Sequence, residues 1–429
     1  MFYNITKNLL LCQVLFRAKI KQAATFALAN QRRRTAVSFG GIMTICDSVK
    51  YIGVDDHEID LFEGQFEVPG GMAYNSYAVV GQKVCVMDSV DVNFVQAWLG
   101  NIEAALGGKA PDFLVVQHME MDHSAGVLAF AKKYPEAKIV SSKMAFAMMK
   151  NMFEEDFSDR QIVVSDGSEL DLGGKKLKFI SAPNVHWPEV VMTYDEADKI
   201  LFSADAFGKF GALDYDDPEG WDCEARRYYF GIVGKFGDSV QALLKKAAAF
   251  DIQKICPLHG PVLDKDLGHY IEQYNTWSSY GVESPGVAVA YASVYGHTRE
   301  AAQKLAQILK DKGCPKVALF DLAREDIYEC VEDAFRYGTL VIASPTYNGG
   351  AFPAAREFIQ HLTSRNYQKR KVAFIENGSW APAAAKAMAA MFEQSQEITF
   401  AKTKVSIKIA MKAADVAALE SLAEELLAQ

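Results

Sequence analysis

The run His118-Met119-Glu120-Met121-Asp122-His123 places four potential metal ligands within six residues. It follows directly on the apolar stretch 113–116, which reads as a β-strand. If the chain stays extended, His118, Glu120 and Asp122 fall at i, i+2 and i+4 and point the same way. Ser124 offers an N-cap to a helix over 124–133, and the turn there brings His123 back toward the same centre. Three further candidates stand where strands run out: His186 after 176–180, Asp205 after 200–203 and His259 after 254–257. Ligand sites in α/β sheets gather outside the carboxyl ends of strands, so these positions can converge. The set combines imidazoles with hard carboxylates and contains no thiolate. That chemistry suits iron, manganese or zinc, and the groups suffice for two ions. His57, His269 and His361 lack such company and read as ordinary surface or core histidines.

A second constellation lies toward the C-terminus. Ser293-Val294-Tyr295-Gly296-His297-Thr298 joins an apolar strand (287–291) to an amphipathic helix (298–312). Backbone N–H groups at that helix start, with the hydroxyls of Ser293 and Thr298, would cradle a phosphate. The loop has no lysine, which favours a monophosphate held by hydrogen bonds over a nucleoside triphosphate. Alone, such a loop is a weak signal. Two later loops strengthen it: Ser344-Pro345-Thr346-Tyr347-Asn348-Gly349-Gly350 after the third apolar strand, and Glu376-Asn377-Gly378-Ser379-Trp380 after the fourth. Each carries an aromatic that can stack on a flat ring, with polar groups for its edges.

The elements that position these groups divide in two. Over 51–280 the chain reads as short strands, loops and a few helices, with hairpins at 74–87 and 190–203. The segment 281–286 reads as a linker. Beyond it, apolar strands at 287–291, 317–320, 340–343 and 372–375 alternate with helices such as 353–362 and 413–427. That pattern means a parallel sheet covered on both faces.

At 429 residues the chain exceeds one ordinary core, so at least two domains are expected. Its net charge of −9 offers no basic surplus for a phosphate backbone, which argues against nucleic acid as a partner. The apolar stretch 9–16 is too short to span a bilayer, so no membrane association is expected. The seven cysteines form no Cys-x-x-Cys pair, which argues against a disulfide framework, a zinc ribbon or a built-in rubredoxin module, and a reducing cytoplasm fits best. Residues 1–42 are basic and free of acid. A transit peptide has that character, but Phe39-Gly40-Gly41-Ile42 before Met43 also fits a ribosome-binding sequence read through as protein. Met43 is the preferred start, with 1–42 a non-native leader or disordered extension.

Taken together, His118 to His123, His186-Trp187-Pro188, Ser203-Ala204-Asp205-Ala206-Phe207 and Leu258-His259-Gly260 resemble the metal motifs of the metallo-β-lactamase superfamily, in the form found in flavodiiron proteins. Superfamily hydrolases usually carry His-x-His-x-Asp-His. Glu120 at the second position hardens the site and favours iron over zinc. The three later loops resemble the phosphate loop and the two isoalloxazine loops of flavodoxins, although Tyr295 stands where many flavodoxins have Ser or Thr.

The resemblance implies an N-terminal metallo-β-lactamase-like αββα sandwich (43–280) followed by a flavodoxin-like doubly wound parallel sheet (286–429). It also implies two iron ions per chain: His118, Glu120 and His186 on one, Asp122 and His259 on the other, and Asp205 bridging. His123 is a ligand in only some relatives. FMN would lie against Ser293, Tyr295, Gly296, His297, Thr298, Pro345, Thr346, Tyr347, Asn348, Gly349, Asn377, Gly378, Ser379 and Trp380. The implied activity is reduction of dioxygen to water, of nitric oxide to nitrous oxide, or both. Electrons would come from an external donor such as rubredoxin or a reductase, in a head-to-tail homodimer. Two rivals are a zinc-dependent hydrolase fused to a flavodoxin domain, which metal analysis would reveal, and a non-catalytic flavin electron carrier, which an oxygen electrode would reveal.

Overall fold

The computed structural model describes residues 43–155, 157–217 and 220–428, so the leader expectation for 1–42 lies outside the described residues. The N-terminal half is built on two sheets. The first runs Thr44–Cys46, Val49–Tyr51, Tyr77–Val80, Val84–Met87, Phe113–Val115, Lys138–Ser142 and Gln161–Val164, antiparallel at first and parallel from Val84–Met87 onward. The second runs Glu169–Asp171, Lys176–Ser181, Val191–Asp195, Ile200–Phe202 and Lys254–Cys256, and only its last pair is parallel.

Strand alternation explains how the sheets stack. Tyr77, Val79, Cys85, Met87, Phe113 and Val115 meet Leu177, Phe179, Ile200, Phe202 and Cys256 between the sheets. The intervening Ala78, Val86, Leu114 and Val116 point outward, onto Trp98, Leu99 and Ile102 of the helix Val95–Leu106. Both faces of these strands are therefore buried, which is why they read as continuous apolar runs. On the far side of the second sheet, Ile180, Met192 and Leu201 pack in a core shared with the segments Trp221–Tyr228, Gly237–Ala247 and Leu267–Ser278. The result is the expected αββα sandwich.

The C-terminal half is a parallel sheet in the order Val317–Asp321, Ser284–Tyr291, Tyr337–Tyr347, Lys371–Asn377, with Thr399–Phe400 and Val405–Ile407 on its edge. One face buries Val287, Val289, Val341 and Ile375 under Leu305, Leu309, Leu419 and Leu422, from the helices His297–Asp311 and Ala413–Leu427. The other buries Ala288, Leu340 and Ile342 against Phe335, Phe358 and Ile359. This is the doubly wound arrangement expected. The first strand begins earlier than its apolar stretch suggests, at Ser284, because Ser284 pairs with Tyr337 of the neighbouring strand.

The halves share a core. The ring of Phe230 stacks on Phe335 with centroids 4.1 Å apart. Arg226, 1% exposed, donates to both oxygens of Glu283 at 2.6 and 2.8 Å and to Glu332 Oε2 at 2.7 Å. A buried guanidinium is tolerable only when so paired. Arg370 donates to the carbonyls of Tyr280 (2.7 Å) and Gly281 (2.9 Å), which fixes the linker.

Candidate metal centre

His118 and Glu120 leave the strand Phe113–Val115 in extended conformation, and a one-turn helix begins at Met121. That helix corrects two expectations. The extended i, i+2, i+4 alignment holds only for His118 and Glu120, because the turn at Met121–Ser124 redirects Asp122 and His123 to a second cluster. Ser124 closes this turn instead of capping the next helix, Val127–Lys133, and its hydroxyl donates to the Met119 carbonyl at 2.9 Å.

The first cluster holds His118, Glu120, His186 and Asp205. His186 Nε2 lies 2.9 Å from Glu120 Oε2, 3.2 Å from His118 Nε2 and 3.0 Å from Asp205 Oδ2. The second cluster holds Asp122, His123 and His259. His123 Nε2 lies 2.9 Å from His259 Nε2 and 3.2 Å from Asp122 Oδ2, and His259 Nε2 lies 3.3 Å from that same oxygen. Asp205 spans the two, with Oδ1 at 3.4 Å from His123 Nε2. His123 thus sits as deep in its cluster as His259, and both are fully buried. His57, His269 and His361 lie elsewhere, beside Asp214, Asp222 and Arg365 respectively.

The electrostatics describe a site that demands cations. Burial works against charge on His118, yet the carboxylates of Asp205, Glu120 and Glu189 outweigh it and hold its pKa well above the ordinary value. The same contest leaves His123 at about 10, against burial and through Asp122 and Asp205, and His186 at about 9 through Asp205 and Glu120. Asp205 is held well below the usual carboxylate range, against burial, by His118, His123 and His186. Both oxygens of Asp122 and of Asp205 are buried without a hydrogen-bond donor, although imidazole nitrogens come as near as 3.0 Å to Asp205 and 3.2 Å to Asp122. Imidazole nitrogens facing each other at 2.9 and 3.2 Å need a proton or a metal ion between them, because two bare lone pairs would repel. The donor set fits two hard or borderline metal ions.

Residues beyond the sequence candidates hold this arrangement. Glu189 Oε1 accepts from His118 Nδ1 (2.8 Å) and from the Met119 N–H (2.9 Å). His259 Nδ1 donates to the Ala73 carbonyl at 2.8 Å. These bonds fix the tautomer and turn each Nε2 lone pair toward the cluster. Asp88 accepts from the backbone N–H (2.7 Å) and side-chain amide (2.9 Å) of Gln117, pinning the residue before His118. Sequence reasoning missed Glu189 and Asp88. The signals were present: Glu189 stands three residues after His186, and Asp88 directly follows the strand Val84–Met87.

At the carboxyl ends of the parallel sheet in the C-terminal half, Gly296 turns with φ +98° and donates its N–H to Ser293 Oγ at 3.1 Å. The third strand runs on to Tyr347 and folds back through Asn348 (φ +49°) and Gly349 (φ +76°) onto Gly350–Ala351. Two positive φ values make this an Asn-Gly hairpin turn instead of an open loop. The Thr346 hydroxyl accepts from the N–H groups of Ala383 (2.9 Å) and Ala384 (3.2 Å), and the Asn377 amide pairs with the backbone of Ile409. Those two side chains tie loops together. Tyr295, Tyr347 and Trp380 are exposed.

Residues 72–260 match the sequence model of the ODP family beta lactamase, and residues 288–406 match that of a flavodoxin domain. The chain is 28% identical over 346 residues to an anaerobic nitric oxide reductase flavorubredoxin of Vibrio vulnificus, covering 78% of this chain and 69% of that protein. Among solved structures it resembles the rubredoxin oxygen:oxidoreductase of Desulfovibrio gigas, with a TM-score of 0.83 at 23% identity over 90% of this chain and 98% of that one. It also resembles the flavodiiron protein of Giardia intestinalis, with a TM-score of 0.84 at 24% identity over 91% of this chain and 98% of that one.

Proposed function

This chain belongs to the flavodiiron family of oxidoreductases, and we propose that it reduces dioxygen to water, nitric oxide to nitrous oxide, or both. The observation that carries this reading is the pair of buried clusters spanned by Asp205, with Glu120 in the first.

The proposed roles follow the geometry. His118, Glu120 and His186 hold one iron, Asp122, His123 and His259 hold the other, and Asp205 joins them. Two ferrous ions and reduced FMN together hold four electrons, enough for dioxygen and more than the two that a pair of nitric oxide molecules needs. Glu189 and the Ala73 carbonyl keep His118 and His259 oriented as ligands. Phe62, Tyr74 and Tyr228 pack around the His259 ring and form an aromatic wall suited to a small uncharged gas. Ser293, Gly296, His297 and Thr298 hold the flavin phosphate, and Tyr295, Tyr347 and Trp380 present aromatic faces beside it.

The donor is a separate protein, rubredoxin or a reductase, and the working unit is a head-to-tail homodimer in the cytoplasm. Among the described residues no helix is long and apolar enough to cross a membrane. The test is anaerobic reduction of the purified protein, followed by addition of each gas. Water without hydrogen peroxide, or nitrous oxide, is the expected product. Peroxide alone from dioxygen, with no nitrous oxide from nitric oxide, would overturn the reading.

A further inference from the structure

The phosphate loop departs from the flavodoxin pattern at Tyr295, and the structure shows what that departure removes. Tyr295 is 91% exposed, so its hydroxyl lies away from the loop interior. What remains is a cradle of donors. The Ser293 oxygen already accepts from the Gly296 N–H, which leaves its own hydrogen to donate. Thr298 is 3% exposed, and its hydroxyl bonds to nothing among the described residues. The first turn of the helix His297–Asp311 adds backbone N–H groups that no helical carbonyl can satisfy. Nothing from Ser293 to Thr298 carries a negative charge.

Arg299 stands in that same first turn, where the helix dipole disfavours a cation. It forms no ion pair among the described residues: its neighbour Glu300 faces His297 at 3.3 Å, and Asp321 is taken by Arg324 at 3.0 Å. Its guanidinium folds back over the loop. A Cβ built on Gly296 would lie 3.3 Å from Arg299 Nη2, a space that the glycine leaves open. The guanidinium beside Gly296, the Thr298 hydroxyl and the free amides of the helix start belong to one loop that lacks only an anion. We propose that Arg299 is the charge-bearing ligand of the flavin phosphate, taking over the role that Tyr295 gives up, so that this chain selects FMN over unphosphorylated flavin mainly by charge. The proposal rests on the flavin reading of the C-terminal domain.

Hydrogen bonds to a charged group are the stronger kind, and an arginine can grip a phosphate through two parallel N–H bonds. Removing that grip should weaken FMN about tenfold to a hundredfold. The experiment strips flavin from the full-length protein and titrates FMN and riboflavin separately by quenching of flavin fluorescence, at low and high salt. The parent should bind FMN far more tightly than riboflavin. Arg299→Gln should weaken FMN by the stated factor, leave riboflavin unchanged and flatten the salt dependence, while Arg299→Lys should recover part of the loss. An unchanged FMN affinity in Arg299→Gln, or an equal loss for both flavins, would overturn the proposal while leaving the flavin reading intact. If the parent bound neither flavin, the flavin reading itself would fall, and this proposal with it.

Discussion

Glu189 holds His118 from behind: its Oε1 lies 2.8 Å from His118 Nδ1 and 2.9 Å from the Met119 nitrogen. One buried carboxylate oxygen therefore fixes both the tautomer and the backbone of a proposed ligand. Loss of such outer partners costs metal affinity about 10–100-fold in comparable sites. Glu189→Ala should shed iron faster than the parent during dialysis against a chelator, with FMN content unchanged. Equal retention would mean that Glu189 is mere packing.

Among the described residues Asp205 lies within reach of both clusters. Asp205→Ala should therefore cost most of both ions, where loss of a ligand to one cluster should cost mainly one. Iron per chain, measured on purified protein, decides this. Full occupancy in the variant would sink the bridging role.

His123 carries a sharper test, because its Nδ1 has no hydrogen-bond partner while its Nε2 faces His259 at 2.9 Å. As a true ligand, His123→Ala should bring iron toward one ion per chain. Two ions retained at parental affinity would reduce His123 to a neighbour of the site.

Glu120→Ala should weaken the first ion and leave flavin bound, since the flavin loops lie on the other sheet. Dioxygen reduction should slow and shift toward hydrogen peroxide, the product of reduced flavin alone, and nitrous oxide formation should disappear. Parental rate and product in this variant would move the chemistry away from the metals.

Glu332, between the halves, is expected to make stability depend on pH. Burial raises its pKa, Arg226 lowers it and Asp333 raises it again, leaving it at about 8. The folded chain thus keeps a proton that the unfolded chain releases near 4.5. Stability is fully favoured below that lower value and falls as pH rises toward 8. Glu332→Gln should reduce the fall in melting temperature between pH 6 and pH 8.5. An identical pH profile in the two proteins would show that Glu332 keeps an ordinary pKa.

Much of the fold was legible because both faces of the central strands are buried, so stretches such as Val84–Met87 and Val287–Tyr291 read as strands without ambiguity. Proposed ligands such as His186 and Asp205 could be named because each lies beyond the end of a strand, the half-exposed Lys176–Ser181 and the fully buried Ile200–Phe202. What stayed hidden depends on contacts distant in sequence. Glu189 reaches His118 across 71 residues, and Arg226 meets Glu332 across 106. The split of Asp122 and His123 from His118 and Glu120 was hidden for a local reason. A single helical turn between polar residues leaves no apolar period to read.

The stack of Phe230 on Phe335, with Arg370 gripping the linker carbonyls, bears on how electrons travel. A flexible tether would let the flavin carrier swing toward the metals and deliver its charge on contact. Here a ring stack and buried hydrogen bonds close the joint, which would keep the flavin and the metals of one chain at a set spacing. On the proposed reading, electrons would then tunnel across a fixed gap instead of being carried by a moving domain. Thickening the solvent should then slow the arrival of partners while leaving the internal hop untouched.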